Sequence, residues 1–289
     1  MLSKGYWIRD VDVLAGGKKF SSIGDNAIDI DFEINFSNAK EPDVNTVTIY
    51  NLSDSSINMI RDQAYIIVAA GYKELGNKAT IGEGTIEDIE VKFSGLDKAC
   101  EIKFTDGGKP WRIRELNKTY AENTKASQIM RDLAIVLGYE IVEITPKEDV
   151  VYRLGKTIKG FASKSLEALA RDTKSKMFIN KNRLVIRDEV KAYNTGFVLN
   201  ADSGLIGSPT LNKNDSGDKT DEKKYTKDKK QNKEAKKSWH VVSLLNPRIE
   251  TDSIIKVESK TLNGVYRVVS GKHTKNFNTE LEVVEAWKI

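Results

Sequence analysis

A nine-residue stretch near the N-terminus constrains the fold of this chain more than any other feature. From Ile28 to Phe36, apolar and polar side chains alternate without a break. Successive side chains of a β-strand point to opposite faces, so the apolar side chains share one face and Asp29, Asp31 and Glu33 share the other. This pattern predicts a half-buried strand in a mainly β protein.

Other strand-like segments surround this one. Before residue 107 the predicted strands are Tyr6–Leu14, Val47–Leu52, Tyr65–Tyr72, Thr85–Phe93 and Ala99–Thr105, with a turn at Gly16-Gly17. Ser53 is placed to cap one short helix, in which Ile57, Met59 and Ile60 are expected to pack inward. Several strands with one helix predict a small barrel or sandwich.

The C-terminal part of the chain is also strand-rich. The predicted strands are Ser253–Ser259, Val265–Lys272 and Glu280–Trp287. Asn263-Gly264 predicts the turn between the first two, because both residues tolerate a positive φ.

The middle of the chain has a helical period instead. Thr124 is predicted to cap a helix from Lys125 to Leu137 that ends at Gly138, and the strand Tyr139–Ile144 follows. The order then repeats. A helix over Ser163–Lys174 precedes a hairpin over Met177–Ile186 that turns at Lys181-Asn182. Two helix-then-strand units predict a small α/β domain.

Together these segments predict a mainly β chain with an α+β insert. Two β-barrel domains, residues 1–107 and 191–289, would flank the α/β domain at 108–190. The segment 212–238 interrupts the last domain with ten lysines, six acids and very few apolar residues. Such a segment cannot bury enough surface to offset its ordering entropy, so we expect a flexible loop.

Charge and cysteine content limit the function. The whole chain carries a net charge of +4, and the lysine-rich segment supplies 10 − 6 = +4, so the rest is neutral. A neutral body argues against a surface specific for nucleic acid. Cys100 is the single cysteine, which excludes an intrachain disulfide and a cysteine-based zinc site.

No membrane or export segment is expected. The N-terminus has no apolar stretch of signal-peptide length, and the longest apolar run, Tyr65–Ala70, is too short to span a bilayer. We expect synthesis in a cytoplasm, with any export by lysis or assembly.

The candidate catalytic motifs are incomplete. Gly155-Lys156-Thr157 resembles the end of a phosphate-binding loop, but Val150 stands where that loop needs a glycine, which favours a simple turn. Gly16-Gly17-Lys18-Lys19 fails in the same way.

The sequence also lacks the patterns expected for catalysis by a histidine or by paired acids. His240 and His273 are the two histidines, and the nearby Ser243 and Ser270 lie outside any Gly-x-Ser-x-Gly elbow. The acids of residues 29–33 and Glu87, Asp88 and Glu90 follow strand faces that are expected to be solvated. We predict no catalytic residue, no cofactor site and no metal site.

Several short motifs resemble baseplate hub proteins of contractile-tailed phages and phage-tail-like bacteriocins. The first domain carries Ile49-Tyr50-Asn51-Leu52-Ser53 and Ala69-Ala70-Gly71-Tyr72. The last domain carries Gly204 to Pro209, Ser243 to Ile249 and Asn263 to Val268. The order and spacing of these motifs are most similar to hub proteins from prophages of Gram-positive bacteria.

The resemblance implies an assembly function. Hub proteins of this kind have two related barrels and form homotrimers, so three chains make a ring of pseudo-sixfold symmetry around a channel. Such a ring joins the hexameric tail tube to the trimeric central spike and contacts other baseplate proteins of the particle. Because ring contacts cover exposed strand edges, we expect the monomer to be less stable than the ring.

Two other functions stay open at this point. One is a binding module of the tail tip for cell-wall glycan or nucleic acid, using the α/β domain or the lysine-rich segment. The other is a tail-associated cell-wall hydrolase, which would need catalytic groups that the motifs of this sequence do not supply.

Overall fold

Strands dominate the first part of the chain. A computed structural model describes residues 5–212 and 237–286. The first β region contains β1 (Arg9–Ala15), β2 (Lys18–Ser21), β3 (Ile30–Ser37), β4 (Val44–Tyr50), α1 (Asp54–Asp62), β5 (Tyr65–Tyr72), β6 (Ala79–Ser94) and β7 (Asp97–Thr105). Its strands pair antiparallel in the order β2-β1-β5-β6-β7-β4-β3. The core includes Val13, Ile49, Val68, Ile102 and Phe104.

Several elements predicted for this region are present in the structure. β5 has the predicted bounds, and the apolar face of β3 is buried at Phe32, Ile34 and Phe36. Ser53 caps α1, since its Oγ accepts a hydrogen bond of 3.2 Å from the Ser56 N–H. The inward position of Met59 was wrong. Its side chain is 41% exposed, because it lies on the solvent side of a helix whose core face is occupied by its neighbours in the sequence.

The middle region, residues 108–190, mixes helices with short strands. It contains α2 (Gly108–Ile113), β8 (Glu115–Tyr120), β9 (Thr124–Lys125), α3 (Ala126–Leu137), β10 (Glu140–Thr145), β11 (Val151–Tyr152), β12 (Lys156–Phe161), α4 (Ala162–Asp172), β13 (Lys176–Asn180) and β14 (Arg183–Arg187). Strands β10, β14 and β13 form one sheet, in which β10 and β14 are parallel. Helices α3 and α4 share its core, which includes Ile129, Leu133, Leu166, Ile179 and Leu184.

The ends of these helices and turns follow the sequence with one exception. Gly138 ends α3 in the left-handed conformation, and the β13–β14 turn has positive φ at Lys181 and Asn182. The predicted cap Thr124 was wrong. It lies in β9, and the Asp149 carboxylate accepts a 2.9 Å hydrogen bond from the Ser127 N–H in the first turn of α3.

The last β region follows β14. Its strands are β15 (Tyr193–Leu199), β16 (Leu205–Leu211), β17 (Ser238–Leu244), β18 (Ser253–Glu258), β19 (Asn263–Thr274) and β20 (Asn278–Glu285). The order is β16-β17-β20-β19-β18-β15, and β15 pairs parallel to β18. The core includes Val241, Ile255, Val257, Val268 and Val283. Most of the expected loop at 212–238 lies outside the described residues.

The predicted Asn-Gly turn was wrong in register. Asn263 and Gly264 belong to β19 and pair with Glu258 and Val257 of β18. The turn comes just before them, closed by a 2.9 Å hydrogen bond from the Ser259 N–H to the Leu262 carbonyl. The pair therefore starts a strand. The mainly β fold class, in contrast, is confirmed.

Candidate assembly site

Strand β19 belongs to both β regions. Its first half, Asn263–Arg267, pairs with β18, and on the same edge Ser270–Thr274 pairs antiparallel with β3. Its other edge pairs with β20. Backbone hydrogen bonds therefore join the two β regions into one sheet of thirteen strands.

Side chains also pack across this junction between β3 and β19, which we call the seam. Phe36 of β3 packs into the core of the last region, while Leu245 and Phe277 pack into the core of the first. At Gly271 the approach is very close, since a Cβ there would lie 2.6 Å from both the Glu280 carbonyl oxygen and Phe36 Cζ. A glycine is required because any side chain would push the strands apart.

His273 lies inside the seam. Its ring is fully buried against Phe36, and Nδ1 is 3.0 Å from the Thr279 hydroxyl. Burial lowers the pKa of His273 to about 3, with Lys181 as a smaller cause. The imidazole is therefore neutral at physiological pH.

A buried carboxylate joins the middle region to the last. Asp252 is fully buried and forms ion pairs with Lys176 at 2.5 Å, Arg187 at 2.9 Å and Arg267 at 2.9 Å. Burial alone would raise the pKa of Asp252, but the three cations outweigh burial and hold its pKa below the ordinary value. Burial lowers the pKa of Lys176 despite this pairing.

Further contacts stabilise the surplus positive charge around Asp252. The Arg187 guanidinium lies 4.1 Å from the centre of the Tyr193 ring and 3.4 Å from the Glu143 carboxylate. Arg267 donates hydrogen bonds to the backbone carbonyls of Glu189 and Lys191. A buried group of like charges is stable only with such partners.

All three regions meet at Lys181. Its ammonium group pairs with Glu250 of the last region. Its backbone N–H donates a 2.9 Å hydrogen bond to Asp106, which also accepts one of 2.7 Å from the Asn45 amide. Burial raises the pKa of Asp106 to about 8.

No local sequence pattern indicates this charged junction around Glu250 and Asp252. Glu250 and Asp252 lie in a polar stretch between strands, where charged residues are normally solvated. Their partners lie more than 60 positions away along the chain, apart from Arg267. A single sequence does not reveal such pairings.

The phosphate-loop candidate has a different geometry. Gly155 has a φ of 77°, and Lys156 and Thr157 then begin β12. A phosphate-binding loop would lead into a helix, whose N–H groups help to hold the anion. Here a turn leads into a strand.

The candidate serines and histidines are not brought together. The Ser243 hydroxyl donates to the Leu244 carbonyl, and the Ser270 hydroxyl donates to Glu282. In the described ranges, no hydrogen bond links either serine to His240 or His273. Nor do those ranges hold a group of three or more His, Cys, Asp or Glu residues arranged for a metal.

Of the acids predicted to lie on a solvated strand face, Asp31 and Glu33 are in β3, whereas Asp29 comes just before that strand. Asp29 and Glu33 are exposed, and Asp31 accepts hydrogen bonds from the Tyr50 hydroxyl and from Lys275, each 3.0 Å long. Across residues 5–212 and 237–286, no helix has the length and apolar character needed to cross a membrane.

Sequence comparison places this architecture in a family. Residues 8–217, well over half of the chain, match the model of a family described as baseplate hub gp41. The chain belongs to the baseplate hub gp41 family. The predicted relationship to hub proteins of phage tails is thereby confirmed.

Solved structures of tail proteins share the fold. A 43 kDa tail protein of prophage MuSo2 from Shewanella oneidensis has a TM-score of 0.66 at 10% identity, covering 96% of this chain and 98% of its own. A tail protein from Neisseria meningitidis MC58 has a TM-score of 0.62 at 10% identity, covering 96% and 97%.

A third structure extends the likeness to secretion systems. The E. coli c3393 protein, described as a type VI secretion component similar to the T4 tail proteins gp27 and gp5, has a TM-score of 0.57 at 12% identity. The match covers 89% of this chain and 74% of that protein. No curated protein sequence matches the chain. The expected Gram-positive origin stays a prediction.

Proposed function

We propose that the protein is the structural hub of a contractile-tail baseplate. In this proposal three copies form a ring of pseudo-sixfold symmetry, which joins the hexameric tail tube on one side to the trimeric central spike on the other. Other baseplate proteins bind its outer surface. The chain acts in a phage or phage-tail-like particle that is assembled in the bacterial cytoplasm and released by lysis.

The pairing of β3 with β19 is the observation that carries this proposal. A ring of six similar units built from three chains needs two units per chain at a fixed relative angle. Five consecutive residue pairs between Glu33–Ser37 and Ser270–Thr274 join the two β regions through their backbones. Such a seam resists hinge motion better than a linker does.

The domain boundaries belong to the same proposal. We assign residues 1–107 and 191–289 to the two barrels and 108–190 to the domain inserted between them. Three separate cores support this division, since each draws almost all of its residues from one of these ranges.

The proposed role is structural and requires no catalysis, cofactor or metal. Two of the candidate catalytic groups have structural partners, since His273 is buried in the seam and the Ser243 hydroxyl donates a hydrogen bond to the Leu244 carbonyl. Membership in a baseplate hub family also favours an assembly role over a cell-wall hydrolase.

Sedimentation equilibrium on the purified chain tests the proposal. A trimer of the 32.4 kDa chain has a mass of 3 × 32.4 = 97.2 kDa. We expect this mass at micromolar concentration and a complex with the spike protein of the same particle. A monomer at every concentration that also fails to bind the spike would overturn the proposal.

A further inference from the structure

Charge is divided unequally between the regions of the chain. Residues 1–107 contain 11 basic and 18 acidic residues, so their net charge is 11 − 18 = −7. Residues 108–190 contain 17 basic and 11 acidic residues, which gives 17 − 11 = +6. The near-neutral body of the protein therefore has an acidic and a basic part.

Most ion pairs between the regions follow this difference in charge. Six ion pairs place the cation in the middle region and the acid in a β region: Arg112–Glu87, Lys164–Glu41, Lys176–Asp252, Arg187–Asp252, Lys181–Glu250 and Arg183–Glu250. A pair of the opposite polarity, Lys191–Glu143, lies where the middle region continues into β15. Cations of the middle region thus recur as binding partners for acids of the β regions.

A second set of cations lies on one antiparallel ribbon of the middle region. Strand β8 pairs with β12, and β9 pairs with β11, so that residues 114–125 run alongside residues 150–161. We call this pair of segments the cationic ribbon. Its cations include Arg114, Lys125, Arg153, Lys156 and Lys159.

These five cations have no acidic partner in the described part of the chain. Among the described residues, none of their charged groups lies within 4.0 Å of a carboxylate, whereas Lys118 of the same ribbon pairs with Asp132 at 2.5 Å. Lys156 lies over the Tyr152 ring, and the other four are exposed. Beside Arg153, the side chain of Leu154 is 93% exposed.

The first β region has the complementary surplus. Asp25, Asp29, Asp62 and Asp88 are exposed, and in the described ranges no basic side chain lies within 4.0 Å of their carboxylates. One chain therefore presents unpaired cations in one region and unpaired acids in another. Two different complementary surfaces on the same chain make a head-to-tail contact, which closes into a ring when the rotation allows.

We propose that the cationic ribbon binds the acidic first β region of a neighbouring copy in the hub ring. The inference rests on the proposed function and assigns a surface and a chemistry to the contact between copies. Complementary charge would select the neighbour and fix its orientation, and the exposed Leu154 would add apolar contact.

An anionic polymer, such as nucleic acid, is the less favoured occupant. Glu115 and Glu122 interrupt the ribbon and would repel a continuous run of phosphates. The acids of the chain itself supply a partner with matching charge, so the observations favour a second copy.

The test compares two pairs of charge reversals in the full-length chain. Arg153→Glu with Lys159→Glu alters the ribbon. Arg248→Glu with Lys260→Glu is the matched control, since both of its residues are exposed, lie outside the ribbon and the first β region, and make no ion pair within the described part of the chain. Sedimentation across a range of NaCl concentrations measures the dissociation constant of the oligomer, and thermal melting checks that each variant is folded.

We expect the ribbon reversals to raise the dissociation constant about tenfold or more over the control, which corresponds to at least about 1.4 kcal/mol. We also expect a weaker salt dependence. Arg153→Gln with Lys159→Gln should give a smaller change in the same direction, and it replaces the reversals if they fail to fold.

Two results would overturn the inference alone. One is that the ribbon variants form the oligomer as well as the wild-type chain does. The other is that the variants form this oligomer equally well but are no longer retained on an immobilised polyanion, which would make the ribbon a polyanion site. A wild-type chain that stays monomeric would also overturn this inference, and a monomer that in addition fails to bind the spike protein would overturn the proposed function.

Discussion

Arg187 and Asp252 form an ion pair of 2.9 Å between the middle and last regions, and neither side chain is more than 3% exposed. Lys176 and Arg267 share the same carboxylate. Removing that carboxylate would take the closest counter-charge from three largely buried cations, and among the described residues only Arg187 would keep a second acidic partner, Glu143 at 3.4 Å. The junction is therefore sensitive to loss of the acid.

Replacing Asp252 with alanine tests this dependence. Breaking a buried ion pair typically costs about 3–5 kcal/mol, so we expect Asp252→Ala to lower the free energy of unfolding by about that amount. Urea denaturation followed by circular dichroism measures the change. Glu258→Gln is the control, because Glu258 pairs with Lys256 at the surface and the free energy of unfolding depends little on such exposed pairs. Equal losses in the two variants would contradict the account.

A side chain at Gly271 should open the seam between the β regions. The added Cβ of Gly271→Ala would meet the Glu280 carbonyl and the Phe36 ring, and overpacking of this kind costs about 1–3 kcal/mol. Lys272→Ala in the same strand removes a partly exposed side chain and should change stability by about 0.5 kcal/mol or less. Denaturation of both variants checks the difference. An unchanged Gly271→Ala protein would show that the strands are not packed closely there.

His273 should make the protein less stable in acid. Its pKa is about 3 in the folded protein and about 6.5 when unfolded, so between these values only the unfolded chain takes up the proton. The free energy of unfolding should therefore fall as the pH drops from about 7 to about 4. His273→Gln should flatten this slope, while His240→Gln at a half-buried position should keep it. Urea denaturation at several pH values measures both, and identical slopes in the two variants would argue against a buried neutral imidazole.

Asp106 should act in the opposite direction. Its pKa is about 8 in the folded protein and about 3.9 when unfolded, so the folded protein holds the proton between these values. The stabilisation from protonated Asp106 should be lost as the pH rises from about 4 through 8. The stability difference between wild type and Asp106→Asn should shrink over that range, whereas the difference for the exposed Asp29→Asn should stay constant. A constant difference for Asp106→Asn would contradict the raised pKa.

The sequence predicted elements that have a strong local signal. The bounds of Tyr65–Tyr72 follow from a run of apolar residues. Ser53 caps the start of α1 and Gly138 ends α3, and a few neighbouring residues determine both positions. The paired strands β8–β12 and β9–β11 were missed, because their exposed, polar residues have no regular alternation.

The seam and the charged junction were beyond prediction for a different reason. Residues 33–37 and 270–274 pair across most of the chain length, and nothing local selects one partner strand over another. Asn263-Gly264 is an example at short range. This dipeptide favours a turn, but Asn263 and Gly264 pair with β18 instead.

Single-particle cryo-electron microscopy of the purified full-length chain would show whether the hub ring forms. We expect a threefold ring in which each chain contributes two similar β units, joined through β3 and β19, so that six units surround an open channel. Isolated single chains, or a ring in which only one β unit of each chain borders the channel, would contradict it.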